Sequence, residues 1–171
     1  YVLTGGGRIV GSDEVTMFEL ARAMAHGCIN VPEGATVRGP DGRFHSKNTA
    51  GEAVLALPLV VLGDVAANAA GFREGRAQLA ARFVASFFNA IIAALLVGML
   101  YVTLRRLRVG ARAAFAAAVL LGFTTPLWIY AKSFMAEPLE ALGLLLALGG
   151  AARAGAAQAP ADARAGEREA A

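Results

Sequence analysis

The sequence predicts an all-α integral membrane protein, in which transmembrane helices follow an extracytoplasmic first loop carrying amphipathic juxtamembrane helices and a small hairpin. Three observations predict this. Of the 171 residues, 57% are hydrophobic and only 17% are charged, at a mean hydropathy of +0.54; a soluble domain of this size needs more charge to cover its surface. Uncharged runs long enough to cross a bilayer recur in the second half of the chain, and arginines gather at their ends. The net charge of +3 comes from those short clusters rather than from a basic face, so no nucleic-acid partner is expected. Cys28 is the single cysteine, which excludes an internal disulfide or a thiolate metal set and leaves a buried or bystander thiol. The chain opens at Tyr1 without a leader pattern and is expected to be a piece of a longer protein.

The elements follow in order. Ser12 is an expected N-cap, with Asp13 and Glu14 in the first turn where carboxylates suit the helix dipole. Met17, Leu20, Ala21 and Met24 recur at helical spacing, and Gly27 supplies a stop. This helix is too short to span and is expected along the membrane surface. Gly39-Pro40-Asp41-Gly42 between Ala35-Thr36-Val37-Arg38 and Arg43-Phe44-His45 predicts a hairpin. Ala53 to Gly63 is apolar but contains Pro58 and stops at Asp64, the length of an interfacial or re-entrant helix.

Two uncharged runs follow, Phe83–Leu104 and Ala113–Ala131, and a third, weaker apolar run covers about Phe134–Ala152 with Glu137 and Glu140 near its start. At about 1.5 Å per residue the first covers a hydrocarbon core of roughly 30 Å. Short connections make the three antiparallel. Arg105, Arg106, Arg108 and Arg112 between the first two, and Arg153 after the third, are expected in the cytoplasm. Everything before Phe83 and the stretch around Lys132 and Glu137 then lie outside, in a multi-pass protein of the inner (plasma) membrane. The expected division is residues 1–76 as the outer loop, 77–153 as the three spans, and 154–171 as a flexible alanine-rich tail.

The chemistry-bearing candidates lie on the outer side. Asp13 and Glu14 have two readings, helix capping or proton removal from an acceptor beside the membrane. Lys47 either snorkels to the headgroup layer or offers a point charge to a phosphate. Arg82 stands where the first span is expected to open, as an anchor or a second phosphate contact. Lys132 and Glu137 share the outer mouth between the second and third spans, where an acid at the edge of an apolar helix is paired or functional; Glu140 is one turn further in. His26 and His45 have no second ligand at metal spacing and read as surface histidines. Gly5-Gly6-Gly7 lacks the strand that a phosphate loop needs.

Four stretches together resemble the start of a membrane glycosyltransferase of the GT-C superfamily, akin to bacterial aminoarabinose transferases and protein O-mannosyltransferases. Gly11-Ser12-Asp13-Glu14 is similar to the acidic motif of that family's first outer loop. Phe44-His45-Ser46-Lys47-Asn48-Thr49-Ala50-Gly51, leading to Ala56-Leu57-Pro58-Leu59, resembles its lysine-plus-proline segment, although Asn48 and Thr49 stand where prolines are expected. Ala81-Arg82-Phe83-Val84-Ala85-Ser86 resembles the arginine that opens the next span. Pro126-Leu127-Trp128-Ile129-Tyr130-Ala131-Lys132-Ser133-Phe134-Met135-Ala136-Glu137-Pro138 resembles the segment bearing a second outer acid, with glutamate where aspartate is common.

The resemblance implies transfer of a sugar from a polyprenyl-phosphate carrier to an acceptor lipid, glycan or protein at the outer membrane face, with inversion. It implies catalytic roles for Asp13, Glu14 and Glu137, and substrate contacts from Lys47, Arg82 and Lys132. No cofactor is demanded, and a divalent metal beside the phosphate is compatible with the chemistry. Two rivals stand beside this reading. One is a transporter or flippase of lipid-linked sugars that makes no bond; the other is a non-catalytic membrane scaffold.

Overall fold

The structure, a computed structural model, describes residue 1, residues 7–34 and residues 36–169, with side chains through residue 155. It is mostly helical, 69% by residue. The elements are α1 (Ser12–Ala25), β1 (Thr36–Arg38), β2 (Phe44–Ser46), α2 (Ala50–Ala69), α3 (Glu74–Ala85), α4 (Phe87–Arg106), α5 (Ala111–Thr124), α6 (Leu127–Tyr130) and α7 (Glu137–Glu169).

Helices α1, α2 and α3 form one packed group, and α4, α5 and α7 another. In the first group the chain turns at Gly71 (φ +67°), so α2 and α3 are antiparallel and meet through small residues. A Cβ on Gly63 would lie 2.7 Å from the Ala81 Cα, and Ala53, Ala56, Ala67, Ala77, Ala81 and Ala85 are buried. Helix α1 lies on α2, joined at one end by Arg22 to Asp64 at 3.4 Å. At the other end the Asn48 amide donates to the Asp13 carbonyl at 3.5 Å. Phe18 of α1 is fully buried.

The hairpin forms as its turn residues dictate. β1 and β2 pair antiparallel, with Val37 opposite His45. Gly42 takes the left-handed conformation (φ +77°) that a side chain would oppose, and Asp41 accepts from the Arg43 N–H at 3.1 Å. Gly27 (φ +74°) follows α1, as its position predicted.

Several boundaries differ from expectation. Gly11, extended at φ −63° and ψ 144°, is the N-cap of α1 in place of Ser12. The short interfacial helix expected over Ala53–Gly63 is instead 20 residues long and passes both Pro58 and Asp64; the packing of α1 and α3 outweighs the one backbone bond that proline forfeits. By length and apolarity, α2 and the nearly continuous α3–α4 stretch Glu74–Arg106 could each cross a membrane.

The run Ala113–Ala131 is divided. Thr125 is extended (φ −109°, ψ 170°), because the residue before a proline is driven out of the helical region. Its hydroxyl donates to the Leu121 carbonyl at 2.6 Å and accepts from the Leu127 N–H at 3.2 Å, tying α5 to α6. The third run starts at Glu137, with Pro138 in the first turn of α7, where its missing N–H costs nothing. The stretch expected as a flexible tail continues α7 to Glu169, in keeping with the helix propensity of alanine. Gly5 and Gly6 lie outside the described residues.

The α2–α3 contact generates a test. Gly63→Leu should lower stability by about 1–3 kcal/mol or more through overpacking. Gly51→Ala, where a Cβ meets nothing within 4 Å, should leave it nearly unchanged. Thermal unfolding of the purified variants reads both.

Candidate functional site

The site is built at the start of α1. Asp13 and Glu14 are adjacent in sequence, but successive helical residues point about 100° apart, so they serve different partners. Glu14 turns inward and is buried. Its Oε2 accepts from the Gly11 N–H at 2.8 Å and the Val10 N–H at 3.0 Å, the glutamate half of a capping box. Its Oε1 accepts from the Phe134 N–H at 3.2 Å, 120 residues away.

Asp13 turns outward and meets the Lys47 ammonium at 2.8 Å. The two form one rim of a cleft of about 320 Å³ whose other walls include Asn48, Met135, Glu137 and Glu140. Three carboxylates thus share the cleft with one ammonium group. The Lys47 hydrogen bond holds the Asp13 carboxyl below its ordinary value of 3.8, so Asp13 is ionised throughout the neutral range.

The loop that presents Glu137 is fixed from two sides. Glu14 holds the Phe134 N–H, and the Asn89 amide of α4 donates to the carbonyls of Ser133 at 3.0 Å and Met135 at 2.6 Å. Asn89 is fully buried. Without these bonds, buried backbone groups of an irregular loop would lack partners.

Of the six residues singled out from sequence, Asp13, Lys47 and Glu137 line the common cleft. The other three serve elsewhere. Both Glu14 oxygens are spent on backbone N–H groups, so it holds the loop rather than facing a substrate. Arg82 lies in the last turn of α3, within the stretch Glu74–Arg106 that is long and apolar enough to cross a membrane. It binds Glu19 at 3.0 Å and lies 5.5 Å from the Phe18 ring centroid, while Gln78 donates to the same Glu19 oxygen at 2.8 Å. Lys132 does not pair with Glu137; its ammonium sits 4.3 Å from the Trp128 ring centroid, a cation–π contact. Among the described residues no group of three His, Cys, Asp or Glu side chains is placed to hold a metal.

Sequence reasoning missed two residues. Asn89 lies inside an uncharged run, and a lone amide in an apolar helix was the available signal. Glu52 is 1% exposed, with neither oxygen hydrogen-bonded among the described residues. Asn89, together with Glu137, Glu14 and Glu140, is near enough to act on it, but Asn89 falls short of hydrogen-bond geometry and its own Oδ1 is also unpartnered. An acid in the first turn of an apolar helix is costly to bury and was itself a signal.

Comparison with known proteins adds no relative: no family, no curated protein and no solved structure matches the chain.

Two tests follow from this geometry. Glu14→Ala leaves the Phe134 N–H without its acceptor and should cost about 1–3 kcal/mol in thermal unfolding, whereas Glu140→Ala, on the exposed cleft wall, should change stability little. The second concerns pH. Because the folded value of Asp13 is depressed, the Asp13–Lys47 pair is intact above the ordinary carboxylate value and is lost only as pH falls through the lower folded one. Carboxyl NMR of Asp13 should therefore titrate below 3.8 and move back toward that value in Lys47→Met.

Proposed function

We propose that the chain is part of an integral membrane glycosyltransferase that moves a sugar from a polyprenyl-phosphate carrier to an acceptor at the outer face of the cytoplasmic membrane. The observation that carries the reading is the cleft of about 320 Å³, where the paired Asp13 and Lys47 stand across from Glu137 and Glu140. In this reading α4, α5 with α6, and α7 cross the bilayer, the cleft faces outward and the arginine cluster faces the cytoplasm. The outward faces of these helices support it: Ile91, Leu95, Phe115, Phe123, Leu144 and Leu148 are all exposed. Near the α5–α6 junction, Tyr1, Phe123 and Trp128 pack together with ring centroids 5.3–6.0 Å apart, the kind of aromatic group that settles at a membrane–water boundary.

The division of labour follows from placement. Lys47 meets the carrier phosphate, which draws it from Asp13 and frees that carboxylate. The acceptor hydroxyl or amine attacks the anomeric carbon, and its proton passes to Asp13. The bond from that carbon to the phosphate oxygen breaks, and the phosphate leaves with the electron pair, its charge met by Lys47. Glu137, on the opposite wall, orients the acceptor. Glu14, Arg82 and Lys132 have no direct part in this scheme, because their charged groups are engaged elsewhere.

The test is transfer from a labelled polyprenyl-phosphate sugar by the full-length protein. Asp13→Asn should lower turnover about 10²–10⁴-fold, and Lys47→Met should impair it while leaving the folded protein intact. Undiminished turnover in Asp13→Asn removes that residue from the mechanism. Movement of the labelled carrier across the membrane without a new glycosidic bond would favour the transporter.

A further inference from the structure

At the end of α4 away from Asn89, two adjoining hollows of about 140 and 110 Å³ lie between α4 and α7 and share Thr103, Arg106, Gly149 and Arg153. The upper hollow continues between Met99 and Leu145. Two guanidinium groups on neighbouring helices therefore line the same groove. Neither has a carboxylate or hydrogen-bond acceptor among the described residues; Arg105, by contrast, donates to the Val109 carbonyl at 2.8 Å.

The sequence accounts for the absence of an acidic partner among the described residues. Residues 75–136 and 141–155 contain no aspartate or glutamate. Five arginines, Arg105, Arg106, Arg108, Arg112 and Arg153, thus share this end with no acid in those segments. Like charges held on one groove repel unless an anion sits between them. Gly149 and Gly150 keep the α7 wall at backbone level, and a Cβ on Gly149 would reach only ordinary contact with Thr103, 3.7 Å from its hydroxyl oxygen. The result is a cationic mouth with a hydroxyl beside it and an apolar wall above, complementary to an amphiphile whose head is anionic.

We propose that this α4–α7 groove binds the phosphate headgroup of an anionic membrane lipid between Arg106 and Arg153, with an acyl chain following Met99 and Leu145 toward the bilayer interior. Guanidinium groups suit the head because they present paired N–H donors to phosphate oxygens, and basic pockets between membrane helices recur as sites for such heads. This rests on the membrane reading above, but not on sugar transfer.

The experiment uses the full chain, purified in detergent and stripped of lipid, with native mass spectrometry counting bound dioctanoyl phosphatidylglycerol, dioctanoyl phosphatidylcholine or inorganic phosphate. Phosphatidylglycerol should bind about tenfold more tightly than phosphatidylcholine. R106Q/R153Q should lose that preference, while R108Q/R112Q, an equal charge change at the same end, should keep it within about twofold. Equal loss in both double variants would mean diffuse attraction and overturn the site. Inorganic phosphate competing as well as the lipid would overturn the lipid as occupant. Should R106Q/R153Q fail to fold, Gly149→Leu fills the groove without altering charge, and retained preference in that variant would overturn the proposal. Failure of the membrane reading is separately visible: the chain would remain in solution without detergent and bind neither lipid.

Discussion

The Glu14 carboxylate is the interaction on which the arrangement of the cleft depends. One oxygen closes the N-terminus of α1 and the other holds the Phe134 N–H, so a single side chain sets the distance between the start of the first helix and the loop before the last. Charged acceptors make stronger hydrogen bonds than neutral ones, and a buried donor left without its acceptor is costly. Asn89 grips the same loop from the α4 side through two carbonyls. Between them, these residues fix where Glu137 begins α7, and therefore that it faces Asp13 and Lys47.

That clamp also joins the two helical groups. The group of α1, α2 and α3 is held by small residues in close contact and by cross-links of opposite charge, Arg22 with Asp64 and Arg82 with Glu19. The group of α4, α5 and α7 exposes large aliphatic and aromatic side chains and has few polar contacts. Their meeting point is where the carboxylates collect, including Glu52, which is buried with no hydrogen-bond partner among the described residues. An acid buried without a partner is unfavourable, and Glu52 alone among these carboxylates is so placed; both Glu14 oxygens are hydrogen-bonded, and Glu137 and Glu140 are exposed. The arginines stand at the far end of α4, a helix of 20 residues and so about 30 Å long.

What was legible in the sequence was local. The hairpin could be read because Gly39-Pro40-Asp41-Gly42 carries its own turn chemistry, and the stop of α1 because Gly27 tolerates a left-handed backbone. The full length of α2 was not legible: Pro58 and Asp64 interrupt its apolar pattern, and the compensation comes from Arg22 and from α3, which sequence periodicity does not report. The partner of Arg82 was not legible for a similar reason, since Glu19 is 63 residues away. Asp13 and Glu14 looked interchangeable as letters, and only the helical turn between them separates an outward acid from an inward clamp. Asp13, Lys47 and Glu137 line one cleft, whereas their chemical roles rest on the proposal made above.

Sidedness is the most direct test of whether that cleft faces away from the arginines across a bilayer. With the exposed Cys28 replaced by serine, single cysteines at Asp13 and at Arg106 can be treated in intact cells with a membrane-impermeant maleimide. The expected result is labelling at position 13 from outside and at position 106 only after permeabilisation. Labelling of both positions from the same compartment would contradict it.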